Sequence, residues 1–305
     1  MTRAGFAAII GAPNAGKSTL TNRLVGAKVS IVTQKVQTTR FPVRGVCMAG
    51  DAQIVLVDTP GIFQPRRRLD RAMIRAAWGG AEDADAVVHL VDVAAQLHDS
   101  PPDRKAKADV ETIVEGLRAS GRKAILALNK IDGVKREELL GVSQALFETG
   151  AYDEAFMISA RNGSGVDDLK ARLSELMPEG PWFYPEDQTA DLPARLLAAE
   201  ITREKLYLRV HEELPYSAAV DTTAFEERKD GSLRIEQTIY VERESQRPII
   251  LGKGGQTLKW IGQKSREDLT EILDRPVHLF LHVQVDEKWA DKREFYGDVG
   301  LDFDV

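Results

Sequence analysis

Cysteine is the scarcest resource of this sequence. A single thiol, Cys47, stands in 305 residues. That excludes an intramolecular disulfide and a cysteine-built metal centre. Cys47 falls in an apolar stretch, where a buried thiol is expected. Histidine is nearly as sparse, with five residues and no ligand spacing. His89, inside an apolar run, is therefore expected to be a core imidazole rather than a metal ligand. No apolar run approaches the ~20 residues that span a bilayer. No secretory leader is evident, so a cytoplasmic location is expected. Positive charge is also in deficit, 41 Lys and Arg against 47 Asp and Glu. A net charge of −6 excludes the broad basic surface that non-specific nucleic-acid binding requires. Any such contact has to be local.

What is present is enough chain for about two domains, of ordinary globular composition, 43% hydrophobic and 29% charged. The pattern is organised around Gly11-Ala12-Pro13-Asn14-Ala15-Gly16-Lys17-Ser18. This stretch follows the apolar run Phe6 to Ile10 and leads through Thr19 into a helical pattern, the context of a phosphate-binding loop. Its glycines let backbone N–H groups turn toward an anion, and the following helix adds its positive end. Lys17 is placed to reach β- and γ-phosphates, and the Ser18 hydroxyl to ligate Mg²⁺.

Further apolar runs at Gln53 to Val57, Ala86 to Val91, Lys123 to Leu128 and Ala155 to Ile158 alternate with helical segments. They predict a doubly wound, mostly parallel α/β sheet over residues 1–178. Ligands of such sheets sit at the carboxyl ends of the strands. Asp58-Thr59-Pro60-Gly61 follows one run: a carboxylate to hold Mg²⁺ through water and a glycine N–H for a γ-phosphate. Upstream, Gln37-Thr38-Thr39-Arg40 offers two threonines, either of which could give Mg²⁺ a second hydroxyl. Asn129-Lys130-Ile131-Asp132 follows another run. Asp132 can accept from guanine N1–H and the 2-amino group, which adenine cannot match. Lys130 can lie along the base, Asn129 can tie this loop to the phosphate loop, and Ser159-Ala160 can offer N–H groups to guanine O6.

Together these segments resemble the five motifs of translation-factor-related small GTPases, which implies a P-loop GTPase binding GTP or GDP with Mg²⁺. The catalytic set so implied is Lys17, Thr39, Gly61 and Asn14. There is one departure: Ile62 stands where Ras-like proteins carry the glutamine that orients the attacking water, so a slow intrinsic rate is expected. The pair Pro13-Asn14 resembles a subset of these GTPases in which the asparagine helps hold K⁺ beside the phosphates, implying potassium activation.

Residues 179–193, with Gly180-Pro181-Trp182-Phe183-Tyr184-Pro185, lack any period and read as a linker whose aromatic cluster packs on one of the domains. A helix over 194–212 is expected, Leu197, Ile201, Leu206 and Leu208 inward, Arg203, Glu204 and Lys205 outward. Strands at Ala218 to Glu227 and Leu233 to Glu242 follow, joined by a hairpin turn at Lys229-Asp230-Gly231. Then come a short apolar helix at Pro248 to Leu251, the loop Gly252-Lys253-Gly254-Gly255, a helix to Leu273 and a strand from Val277 to Val285. The tail from Trp289 is polar and acidic and suggests no role.

This order, for residues 194–305, is similar to a bacterial-type (type II) KH domain, a smaller α+β RNA-binding fold. Between Arg243 and Arg266, Arg243, Arg247, Lys253, Lys259, Lys264 and Arg266 face a single acid, Glu244, a basic strip of the kind local RNA contact uses. The expected RNA contacts are Arg247, Ile250, Gly252, Lys253, Gly254, Gly255, Lys259 and Lys264. A GTPase domain followed by one KH domain resembles a family of bacterial ribosome-assembly GTPases. The resemblance implies a monomeric switch that binds the 3′ end region of 16S ribosomal RNA and assists assembly of the 30S subunit, with peripheral inner-membrane association. Two readings stay open beside it: a tRNA-modification-type GTPase, and a constitutive RNA-binding protein with a structural nucleotide.

Overall fold

A computed structural model describes residues 1–210 and 214–305 of the protein. The chain forms two compact units, one of Met1–Ser30, Thr39–Asp191 and Leu301–Val305, the other of Ile31–Thr38 and Leu192–Gly300. Sequence continuity would place residues 31–38 with the first and 301–305 with the second; packing places them the other way.

The first unit contains β1 (Arg3–Ile10), α1 (Lys17–Val25), β2 (Val43–Ala49), β3 (Ala52–Asp58), α2 (Arg68–Asp83), β4 (Ala86–Asp92), α3 (Val93–Leu97), α4 (Pro101–Ala119), β5 (Ala124–Asn129), α5 (Arg136–Phe147), β6 (Tyr152–Met157), α6 (Val166–Leu176) and β7 (Ala190–Asp191). The strands form one sheet in the order β6-β5-β4-β1-β3-β2-β7. Pairing is parallel from β6 to β3 and antiparallel at β2 and β7. The central strands are apolar on both faces because both are covered. Ala8, Ile10, Val87, Leu126 and Leu128 pack with Ile113 and Leu117 in one layer. Ala7, Ile9, Val88, Leu90 and Ala127 pack with Leu20 and Leu169 in the other. His89, fully buried on β4, meets the Tyr152 hydroxyl at 2.8 Å through Nδ1. Cys47 is a buried free thiol on β2.

The linker stays with this unit as far as Asp191. Phe183 stacks on Phe6 with ring centroids 5.2 Å apart, and the Gln53 side chain accepts from Phe183 and Tyr184 N–H groups at 2.9 and 3.0 Å. Its end adds β7 to the sheet.

The second unit contains α7 (Ala194–Arg209), β8 (Ala218–Glu227), β9 (Leu233–Val241), α8 (Arg247–Leu251), α9 (Gln256–Ile272), β10 (Val277–Val285) and α10 (Arg293–Asp298). Its sheet runs β10-β9-β8, with β10 parallel and β8 antiparallel to β9. The expected helix of 194–212 ends at Arg209; part of the remainder lies outside the described residues. Its polarity corrects the sequence reading. Ile201 and Leu206 are buried as expected, but so are Arg203, Glu204 and Lys205, whereas Leu208 is 51% exposed. The helix has two covered faces, because residues 31–38 belong to this unit as well. In the region from Trp289 onward, the Trp289 indole is buried, donates to the Ser217 carbonyl at 3.1 Å and meets Phe295 edge to face.

No helix among the described residues is long and apolar enough to cross a membrane.

Candidate nucleotide site and nucleic-acid interface

The carboxyl ends of β1, β3, β4 and β5 converge on the loop from Gly11 to Ser18. A Cβ on Gly11 would lie 2.5 Å from the Leu90 carbonyl oxygen, so that close approach is open only to glycine. Gly16 is left-handed at φ 102°, and a Cβ there would lie 2.4 Å from Asn129 Nδ2. Asn129 uses the freed space. Its amide donates to the Ala15 carbonyl at 2.7 Å and its Oδ1 accepts from Ala160 N–H at 2.9 Å. One side chain thus ties the phosphate loop to the base loops.

Ala12 and Ala15 are buried, while Pro13 packs against Gly61, where a Cβ would come within 3.0 Å of it. Asn14 is exposed and left-handed at φ 63°. Lys17, Ser18 and Thr19 form the first turn of α1. The Lys17 ammonium is buried and donates to the carbonyls of Gly11 and Ala12, each at 3.0 Å. Burial lowers its pKa to about 8, opposed by Asp58 and Asp109.

The two threonine hydroxyls meet different partners. The Thr39 hydroxyl lies 2.9 Å from Ser18 Oγ and donates to Asp58 Oδ2 at 3.4 Å. The Thr38 hydroxyl instead meets Thr33 Oγ1 at 2.6 Å and the Lys35 carbonyl at 2.6 Å. Of the two, only Thr39 lies beside Ser18 and Asp58. Asp58 is fully buried, burial pushes its carboxyl up against the opposing Ser18 hydroxyl and Lys17 charge, and its Oδ1 has no hydrogen-bond partner. Three oxygens, one an orphaned carboxylate oxygen, fit a hard divalent cation such as Mg²⁺. Thr59 braces the turn by donating to the Ile9 carbonyl at 2.7 Å, and Pro60 is buried behind it. Ile62 is 1% exposed and packs with Ile10 and Ala12 in the core, and its N–H donates to the Gly11 carbonyl at 3.1 Å.

In the base loops, Lys130 adopts φ 66° and its ammonium bridges the Asn14 carbonyl at 2.9 Å and Asp92 Oδ2 at 2.5 Å. Asp132 is exposed, and its carboxylate accepts from Ser159 Oγ at 2.6 Å, which holds its pKa low. Asp92 and the Ser159 hydroxyl were not evident from motif matching. Their signal was position, since each lies at the carboxyl end of a strand.

In the second unit, Gly252, Gly254 and Gly255 are all left-handed, at φ 71°, 60° and 77°, and turn the chain between α8 and α9. A Cβ on Gly252 would lie 2.3 Å from Thr257 Oγ1, while Gly254 and Gly255 border open space. Beside the loop is an open groove of about 410 Å³ lined by Gly255, Leu258, Lys259, Gly262, Gln263, Arg266, Leu279 and Leu281. Its floor is apolar and its rim basic. Arg247 and Lys253 are exposed, whereas Lys264 pairs with Glu267 at 2.6 Å and is not among the lining residues. Ile250 is fully buried, whereas its neighbour Ile249 is 55% exposed. A five-residue helix turns adjacent side chains to different sides, which composition does not resolve.

A nucleoside-triphosphate loop with a guanine-reading loop, followed by a glycine-loop α+β unit, defines a GTPase carrying a KH domain. Residues 6–130 match the family model for 50S ribosome-binding GTPases, and residues 213–290 that for KH domains. The GTPase Era of Caulobacter vibrioides is 73% identical over 309 residues, spanning 100% of this chain and 98% of its own. That of Agrobacterium fabrum is 60% identical over 302 residues, 99% of this chain and 92% of its own. Among solved structures, a variant of Aquifex aeolicus Era bound to GDP and AlF₄⁻ superposes with a TM-score of 0.88 at 37% identity, covering 98% of this chain and 99% of the other. Era in complex with MgGDPNP and nucleotides 1506–1542 of 16S ribosomal RNA gives 0.87 at 37% identity, with the same coverage. The chain belongs to the Era family of GTPases.

Proposed function

We propose that this protein is a GTP-hydrolysing switch that binds the 3′ end region of 16S ribosomal RNA and assists assembly of the 30S subunit. The observation that carries the reading is the glycine loop beside an apolar, basic-rimmed groove, in one chain with a complete guanine-nucleotide site. The Era complex with 16S nucleotides supports the choice of RNA. Left-handed glycines allow a nucleic-acid backbone to approach main-chain N–H groups, while Leu258, Leu279 and Leu281 offer an apolar floor to splayed bases.

In the nucleotide site, Ser18, Thr39 and Asp58 would hold Mg²⁺, which supplies charge neutralisation between β- and γ-phosphates. Lys17, already desolvated, exchanges its two carbonyl partners for phosphate oxygens. The Gly61 N–H meets the γ-phosphate, and Asp132 with Asn129 and Ser159-Ala160 selects guanine. No side chain at the Ile62 position orients water, so the intrinsic rate is low and Asn14 is assigned to a K⁺ site beside the phosphates.

The test is fluorescence titration of a single-stranded oligonucleotide from the 16S 3′ end into wild-type protein and Gly254→Asp. Tight binding lost in the variant is expected. Equal binding by both would move the RNA site away from the glycine loop.

A further inference from the structure

The base loop is tied to the phosphate loop twice. Asn129 donates to the Ala15 carbonyl at 2.7 Å and Lys130 to the Asn14 carbonyl at 2.9 Å, so consecutive residues of one loop hold consecutive carbonyls of the other. Both residues of the second tie have left-handed backbone, Asn14 at φ 63° and Lys130 at φ 66°. In residues other than glycine such backbone persists only where its surroundings hold it. Asn129 lies within β5 and is 2% exposed. Lys130 lacks that support, because its side chain is 43% exposed and carried on a flexible stem. Its ammonium is fixed by Asp92, whose Oδ2 accepts from Nζ at 2.5 Å. Asp92 ends β4 in register with Asn129, the last residue of β5. The other carboxylate oxygen, Oδ1, accepts from Ala95 N–H at 3.4 Å and caps α3. One oxygen is thus held by the helix while the other holds the lysine.

We infer that Asp92 is a positioning residue for nucleotide retention, one that orients Lys130 and through it holds both the Asn14 turn and the lysine stem along the guanine base. The inference rests on the assignment of residues 11–18 and 129–132 to the guanine nucleotide. A partly exposed ion pair adds little to stability, so the effect of this one lies in geometry. Without the Asp92 charge the Lys130 ammonium turns to water, and the phosphate loop keeps only its tie to Asn129. GDP and GTP share the base and the loop, so both are released faster and the ratio of their affinities is kept.

The experiment measures, by stopped flow with Mg²⁺ present, the release of fluorescent GDP from full-length wild type, Asp92→Asn, Asp92→Glu, Lys130→Met and the double variant Asp92→Asn/Lys130→Met. Asparagine still caps a helix but carries no charge, so Asp92→Asn separates the ion pair from the cap of α3. Release ~10-fold faster in Asp92→Asn is expected, the scale of losing one charge-assisted hydrogen bond, with Asp92→Glu within about threefold of wild type. Because Asp92 acts through Lys130, the double variant should release GDP within about twofold of Lys130→Met alone. Wild-type release from Asp92→Asn, or effects that multiply in the double variant, overturns the inference. If Lys130→Met retains too little nucleotide to follow, the two Asp92 variants decide, and equal acceleration in both overturns it. Each of these failures leaves the site assignment standing, whereas wild type that binds fluorescent GDP no better than fluorescent ADP refutes the assignment and this inference with it.

Discussion

In the proposed nucleotide site Asp132 is assigned the base choice. Its carboxylate is held by Ser159 and can only accept. Asp132→Asn puts a donor opposite the guanine 2-amino group, so GDP affinity is expected to fall at least ~100-fold, with xanthosine diphosphate becoming the better ligand. Competition titrations check this, and retained guanine preference would displace Asp132 from the site. Ile62 is buried where a water-orienting side chain is wanted, and Asn14 is the residue assigned to compensate. Turnover is accordingly expected to be several-fold higher in K⁺ than in Na⁺ buffer, and equal turnover would contradict the assignment. His89 makes a separate prediction about stability. Burial lowers its pKa to about 3, below the ~6.5 of an unfolded histidine. The unfolded chain then binds the extra proton, so stability is lost as pH falls from 6.5, by up to ~1.4 kcal/mol per pH unit. Between pH 7 and 5 the unfolding midpoint of wild type should fall further than that of His89→Gln; parallel falls would contradict it.

Elements differ in how much of them could be read in advance. The central strands were legible because burial on both faces leaves near-continuous apolar runs. Strand β2 was not, because Val43–Ala49 carries Arg44 and Gly45 and pairs antiparallel near the sheet edge. The turn at Gly50, φ 60°, was its one local signal. Helix α7 was misread for a different reason: the amphipathic rule assumes that the polar face meets water, and here residues 31–38 cover it. Among the sites, phosphate and base loops were legible because they are contiguous motifs. Which threonine meets Ser18 and Asp58, the burial of Ile250 and the contacts of Asp92 and Ser159 depend on packing that joins residues distant in sequence. Within the glycine loop the positions are unequal. Gly252→Ala meets Thr257 at 2.3 Å, whereas Gly254→Ala meets open space. Both have positive φ, Gly254 in the left-handed helical region at a cost of ~1–2 kcal/mol and Gly252, with ψ 172°, in a region essentially confined to glycine, so Gly252→Ala should lower the unfolding midpoint more. The reverse order would contradict the packing described for α9.

At the scale of the whole molecule, the division into units does not follow chain order. Residues 31–38 pack in the unit of the glycine loop, and residues 301–305 in the unit of the phosphate loop. In the latter, Arg75 pairs with Asp302 at 3.1 Å and Arg68 lies 4.4 Å from the Phe303 ring centroid. Each unit therefore includes a segment whose chain neighbours lie in the other. The most direct measurement is the affinity of a 16S 3′-end oligonucleotide for the wild-type protein, loaded first with a non-hydrolysable GTP analogue and then with GDP. At least ~10-fold tighter binding in the analogue state is expected, equivalent to about 1.4 kcal/mol of coupling. Equal affinity in the two states would contradict the reading of this chain as a nucleotide-governed RNA switch.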